Sequence, residues 1–158
     1  MKLCFVTNNK NKLSEVSSIL KNVKIISLED IGFYEDILET GSSLKENSEL
    51  KAKCIYEKFN IDCFADDTGL EIDFLNGEPG VYSARYAGEN CTYLDNVNKM
   101  LLEMKDVPEN KRSATFSTVM AYVDDKRELT VKGVVEGIIT DKIKGIGGFG
   151  YDSIFYVC

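Results

Sequence analysis

The sequence predicts a mixed domain, α/β or α+β, on a twisted sheet. Three observations lead there. Strand-like segments alternate with segments of helical periodicity, polar loops follow the strand-like segments, and no repeat, low-complexity tract or linker interrupts the 158 residues. A chain of this length with 44% apolar residues fits one domain over 1–158. Such a domain buries roughly 70% of the surface its unfolded chain exposes.

Lys2 to Val6 reads as a buried strand, and the polar loop Thr7 to Lys12 feeds a helix with apolar positions Leu13, Val16, Ile19 and Leu20. Val23 to Ser27 is a second strand, followed by an acidic, irregular stretch from Leu28 to Thr40. Ser43 and Glu46 match a capping box, so a helix should run from there to about Phe59. Ile61 to Ala65 is a short buried strand that delivers Asp66-Asp67-Thr68-Gly69 at its end, and another strand follows at Leu70 to Phe74. Asn76 to Gly80 is a turn cluster with Pro and Gly in the order a type II turn prefers. Tyr93 to Lys105 is a helix with Leu94, Val97, Leu101 and Met104 on one face. Ser113 to Val123 and Glu128 to Thr140 are long strands joined by Asp124 to Arg127. A glycine-rich loop, Asp141 to Gly150, leads to a last strand at Ser153 to Val157.

Composition narrows the chemistry. There is no histidine, which removes Ser-His-Asp and Cys-His catalysis and leaves acid–base work to carboxylates, Lys, Tyr or a metal-bound water. The five cysteines form no C-x-x-C pair, so a structural zinc site lacks ligands and the thiols should be reduced. A net charge of −7 disfavours a nucleic-acid-binding module, whereas a small polyphosphate needs only a few local cations. Lys2 to Val6 runs into polar residues too soon for a signal peptide, and a soluble cytoplasmic protein is expected.

Four constellations could carry function. Thr7, Asn8, Asn9, Lys10, Asn11 and Lys12 stand at a helix N-terminus, where amide groups and the macrodipole favour an anion; an ordinary polar loop is the competing reading. No G-x-x-x-x-G-K-[ST] accompanies them, so a P-loop mechanism loses its support. Glu39, Glu46, Asp66 and Asp67 form an acidic set suited to Mg²⁺, although Asp66-Asp67-Thr68-Gly69 also reads as a turn. If the strand continues through that pair, alternation sends the two carboxylates to opposite faces, one catalytic and one structural. In Gly145 to Asp152, Phe149 and Tyr151 could stack on a base and Asp152 could accept its hydrogen bonds; a tight hairpin loop is the alternative. Arg85, one of three arginines, suits a phosphate or a structural ion pair.

Taken together, these stretches resemble the inosine triphosphate pyrophosphatase family of nucleotide-pool cleaning enzymes. The matching runs are Val6 to Lys12 with Glu15, Glu39 to Ser43 with Glu46-Asn47 and Lys51-Ala52, Ala65 to Leu70, Gly77 to Gly88, and Gly148 to Phe155, in order over nearly the whole chain. The resemblance implies an elongated α/β fold of two lobes on a long mixed sheet, with a nucleotide cleft between them, and a homodimer. It implies that Thr7 to Lys12 hold a triphosphate, that Glu39 and Asp67 bind Mg²⁺, and that Lys51 faces the phosphates. Asp67 would accept the attacking water's proton, with Lys12 and Lys51 neutralising charge. Asp66 would support it, Thr68 would contact substrate, and Phe149, Gly150, Tyr151 and Asp152 would form the base pocket. Family members continue beyond the Gly-Phe-Gly-Tyr-Asp strand into a segment with a Lys and a Ser-His-Arg motif that read the purine, so base selectivity should be relaxed in this chain. Asn8 stands where a Gly is frequent, and Ser153 where a Pro is usual. The implied reaction is Mg²⁺-dependent cleavage of inosine and xanthosine triphosphates to monophosphate and pyrophosphate. Rival readings are a septum-inhibitor-type pyrophosphatase and a catalytically silent nucleotide-binding protein.

Overall fold

The computed structural model describes residues 1–158. Its strands are β1 (Lys2–Val6), β2 (Lys24–Ile26), β3 (Cys63–Ile72), β4 (Pro79–Gly80), β5 (Ser113–Val123), β6 (Glu128–Ile139) and β7 (Phe155–Val157). The helices are α1 (Lys10–Ile19), α2 (Leu44–Phe59) and α3 (Tyr93–Glu103). One sheet runs β2-β1-β3-β5-β6-β7, with β4 paired to β3. β1 lies parallel to β2 and β3, while β4 and β7 pair antiparallel with β3 and β6. This mixed sheet with helical crossovers bears out the α/β reading. No helix is long and apolar enough to cross a membrane.

The chain divides into two compact units. The first comprises residues 1–67 and 119–132. Here β1 is buried on both sides, as a parallel strand between helices should be. Cys4 and Val6 join Cys63 and Ala65 of β3 and Ala52 and Ile55 of α2 in one cluster. Leu3 and Phe5 join Phe64, Leu13 and Val16 in the other, where the Phe5 and Phe64 rings stack at 4.6 Å. This two-residue alternation fixes which face each β3 side chain takes.

The second unit comprises residues 68–118 and 133–158. Val97 and Met100 on one face of α3, with Met104 just past its end, pack on Leu70, Ile72, Ile139 and Ile154. Arg112, 5% exposed, ties this unit together. Its guanidinium donates to the carbonyls of Met104 and Val107 beyond α3 and of Ile139 and Thr140 at the end of β6, over 2.6–3.0 Å. The fixed fork thereby sets where the loop from residue 141 departs.

Several sequence boundaries need correction. The predicted strands 61–65 and 70–74 are one ten-residue strand, β3, and Asp66-Asp67-Thr68-Gly69 is not a turn. Both acids find side-chain partners, described below, so no turn is needed to carry them to water. Residues 10–12 belong to α1 rather than to a loop, because the Asn9 side chain caps the helix by accepting the amides of Asn11 and Lys12. At 76–80 one i→i+3 bond runs from the Glu78 amide to the Leu75 carbonyl and the next from the Tyr82 amide to the Pro79 carbonyl, so Pro79 stands first in its turn instead of second. The Ser43 cap is present, but the Glu46 carboxylate receives the amide and hydroxyl of Ser42. A full capping box forms instead at Thr92 and Asp95, opening α3. The last strand starts at Phe155, after a short helical turn over Asp152–Ile154.

Candidate active site

The acid–lysine centre lies in the first unit, midway along β3. Asp66 follows Phe64 onto the α1 face, where its Oδ2 accepts the Lys12 ammonium at 2.6 Å. Asp67 follows Ala65 onto the α2 face, where its Oδ2 accepts the Asn47 amide at 3.0 Å. Alternation has thus sent the two carboxylates to different helices, as predicted. Lys51, one helical turn beyond Asn47, donates to the Asp66 carbonyl and, at 3.1 Å, to Glu39 Oε1.

Asp67 is 7% exposed and has no lysine of its own. Burial pushes its carboxyl up from 3.8 to about 6, and the charge of Glu39 adds to that; the Asn47 amide, Lys51 and Lys12 oppose it. A carboxylate of near-neutral pKa is matched to take a proton from water at physiological pH. The repulsion between Asp67 and Glu39 is also what a bound cation would relieve. No group of three or more His, Cys, Asp or Glu gathers anywhere in the chain, so a closed protein cage is absent. Mg²⁺ does not need one, since it keeps waters and takes one or two carboxylates plus substrate phosphates, and Glu39 with Asp67 fit that habit.

The loop after β1 is more self-contained than the sequence implies. Thr7 Oγ1 accepts the Asn9 amide at 3.0 Å, Asn9 Oδ1 accepts the amides of Asn11 and Lys12 at 3.0 and 3.2 Å, and Asn8 donates to Asp36 at 2.9 Å. Three amides reckoned as anion donors are therefore already engaged. Lys10 and Asn11 are exposed on the first turn of α1.

The predicted base-pocket residues belong to the second unit and have divergent fates. Tyr151 is core: it is 5% exposed, its ring lies 6.5 Å from Phe116, and its hydroxyl donates to the Ser83 carbonyl at 2.6 Å. It is not free to stack on a base. Asp152 is exposed, and its Oδ2 accepts the Phe149 amide at 3.0 Å. The same carboxylate explains Gly148, where φ is +77° and a Cβ would stand 2.5 Å from Asp152 Oδ2. Phe149 and Gly150 line a pocket of about 250 Å³ with Leu94, Val97 and Ile143, and Tyr93 stands 6.1 Å from the Phe149 ring. The Thr68 hydroxyl meets that of Thr118 at 2.8 Å. Arg85 lies over the Tyr82 ring, 5.0 Å from its centroid.

Sequence reasoning gave no role to Asn47 or Tyr93. For Asn47 a signal existed: it shares the buried stripe of α2 with Ser48, Ala52 and Ile55, and Lys51, four residues on, adjoins that stripe. Polar residues in or beside a buried stripe require partners, and here those partners are the acids. Tyr93 had no comparable signal, because the first residue of a helix gives no indication of a loop far along the chain.

Fold and site together define a mixed α/β protein with an acid–lysine centre in its first unit. Residues 3–158 match the Ham1 family, and the chain belongs to that family. It is 50% identical over 157 residues to a dITP/XTP pyrophosphatase of Flavobacterium johnsoniae, covering 98% of this chain and 80% of the relative. A second dITP/XTP pyrophosphatase, from Thermoanaerobacter pseudethanolicus, is 47% identical over 159 residues, covering 99% of this chain and 80% of that one. Among solved structures, a HAM1 protein from Coxiella burnetii matches with a TM-score of 0.88 at 37% identity, covering 99% of this chain and 82% of that one. The Staphylococcus aureus Ham1 protein matches at 0.85 and 39%, covering 99% and 81%.

Proposed function

We infer that this chain hydrolyses deaminated purine nucleoside triphosphates, dITP and XTP and by the same base chemistry ITP, to the monophosphate and pyrophosphate. The observation that carries the reading is the buried Asp67, raised to about 6, beside Glu39 and within the influence of two lysines. Membership of a family whose relatives bear the name dITP/XTP pyrophosphatase supplies the substrate class.

In this mechanism Lys12 and Lys51 offset the charge of the polyphosphate, exchanging part of their present pairing with Asp66 and Glu39 for phosphate oxygens. Asp67 takes the proton of the attacking water as its oxygen bonds to the α-phosphorus. The bond from that phosphorus to the α–β bridging oxygen breaks, and pyrophosphate leaves with the electron pair. Asp66, locked to Lys12, keeps that lysine in place, while Thr7, Lys10 and Asn11 border the phosphate end and Thr68 contacts substrate. Glu39 and Asp67 would hold Mg²⁺, which when bound supplies charge neutralisation on the phosphates. Within the second unit, Phe149 and Gly150 offer a surface suited to a base, and Tyr151 and Asp152 support their loop.

Hydrolysis in ¹⁸O-water tests the bond assignment. Label in the nucleoside monophosphate is the expected result; label in the pyrophosphate would place attack on the β-phosphorus and end this mechanism.

A homodimer belongs to the same reading. Leu129 and Val131, on one face of β6, are 50% and 67% exposed, and apolar side chains left side by side in water mark an interaction surface. Sedimentation should give twice the monomer mass, and Val131→Lys should halve it.

A further inference from the structure

We propose that Asn47 is a positioning residue that sets the spacing of the two candidate cation-binding carboxylates, Asp67 directly and Glu39 through the backbone of residues 39–41. The inference rests on reading Glu39 and Asp67 as the cation site, and on geometry within the first unit. Asn47 is wholly buried near the start of α2. Its Nδ2 donates to Asp67 Oδ2 at 3.0 Å, and its Oδ1 accepts the Gly41 amide at 2.7 Å.

Both ends of one planar amide are thus committed, and only one orientation serves them. Turning it over would set oxygen against a carboxylate and an NH₂ against an N–H. The side chain therefore acts as a rigid spacer between β3, which carries Asp67, and the segment that carries Glu39. Lys51 adds a second tie by holding the Glu39 carboxylate itself. Residue 41 confirms how closely the segment is seated: a Cβ there would stand 2.7 Å from both Asn47 Oδ1 and Glu46 Cβ, so only glycine fits.

A helix-capping or purely structural role does not account for this arrangement. Ser43 already caps α2 by accepting the Glu46 amide, and a residue needed only to anchor Gly41 would not turn its donor onto a buried acid. A buried Asp67 that feels the charge of Glu39, itself 30% exposed, is an unfavourable arrangement that persists only where surrounding groups fix it. Asn47 is the neutral group that does so for both at once. Residues that orient metal ligands typically change metal affinity ~10–100-fold when removed.

The test uses the full chain with Mn²⁺ alone as probe, its binding followed by water-proton relaxation, and with dITP turnover measured separately. Asn47→Ala should keep its far-UV circular dichroism and bind Mn²⁺ at least ~10-fold more weakly, with kcat for dITP reduced at saturating Mg²⁺. Gly41→Ala should show the same loss through the contact it disrupts, and the double variant should be little worse than either single one. Asn47→Ser gives the same readout if the Ala variant does not fold. Mn²⁺ affinity unchanged in these variants, with only the melting temperature lowered, would overturn the proposal and leave Asn47 a structural residue. Absence of Mn²⁺ binding by the unaltered chain would overturn the cation site itself, and this proposal with it.

Discussion

Replacing Asp67 by Asn should make the metal-free protein more stable at neutral pH while it stops turnover. The carboxyl has its folded-state pKa raised from 3.8 to about 6, chiefly by burial and then by Glu39, so the folded protein holds this proton more tightly than the unfolded chain does. Below pH 3.8 both states are protonated and the group is neutral for stability. As pH rises from 3.8 to about 6 the unfolded chain gives up its proton first, and stability falls. Above about 6 the full penalty is in place, at about 1.4 kcal/mol for each tenfold change in proton affinity, or ~3 kcal/mol in all. Asparagine removes that charge and keeps an oxygen to accept the Asn47 amide, now 3.0 Å from Asp67 Oδ2. In EDTA at pH 7.5 the variant should therefore melt higher by several degrees, ~2–4 °C for each kcal/mol recovered. The gain should shrink towards zero near pH 4. Denaturant titrations of both proteins across pH 4 to 8 measure it. A variant no more stable than the unaltered chain at pH 7.5 would show that Lys12, Lys51 and Asn47 already compensate the buried charge, and the argument would fail.

Other outcomes follow from the same geometry. Lys12→Met leaves Asp66 buried without its ammonium, so stability should drop by about 3 kcal/mol, the low end for a broken buried pair because Lys12 is 24% exposed, with turnover lost. An equilibrium unfolding curve checks it. Turnover of dITP at limiting substrate should rise with pH through about 6 or below, because Asp67 must be ionised to accept a proton and a bound cation can only lower its pKa; a profile that falls over this range would remove Asp67 as the base. Tyr151→Phe deletes the hydroxyl that serves the Ser83 carbonyl and should cost about 1–3 kcal/mol of stability, with the dITP to dATP preference unchanged. A collapse of that preference, measured as a ratio of kcat/KM values, would return Tyr151 to the base pocket.

Much of this was legible from local pattern. The alternation through Phe64, Ala65, Asp66 and Asp67 is a property of one strand, so the separation of the two acids could be read without knowing their partners. The partners themselves could not. Lys12 and Asp66 are 54 positions apart, and Asn47 and Asp67 are 20 apart, so their pairing depends on which helix covers which face of β3. A turn at residues 66–69 competes with a continuing strand in the sequence because Asp and Gly favour turns when their side chains lack partners, and tertiary contacts supply those partners. At Asn9 the composition pointed to an anion, but a side-chain cap satisfies the same donors at less cost. For Tyr151 an aromatic beside glycines reads equally well as pocket or as core, and its burial against Phe116 puts the ring in the core.

The central claim is that a nucleoside triphosphate is cut between its α- and β-phosphates and chosen by its base. One measurement tests it most directly: incubation of the purified chain with Mg²⁺ and, separately, dITP, XTP and ATP, with products resolved by anion-exchange chromatography. The account predicts monophosphate and pyrophosphate in equal amounts from dITP and XTP, and little product from ATP. Release of single phosphate with accumulation of the diphosphate would contradict it.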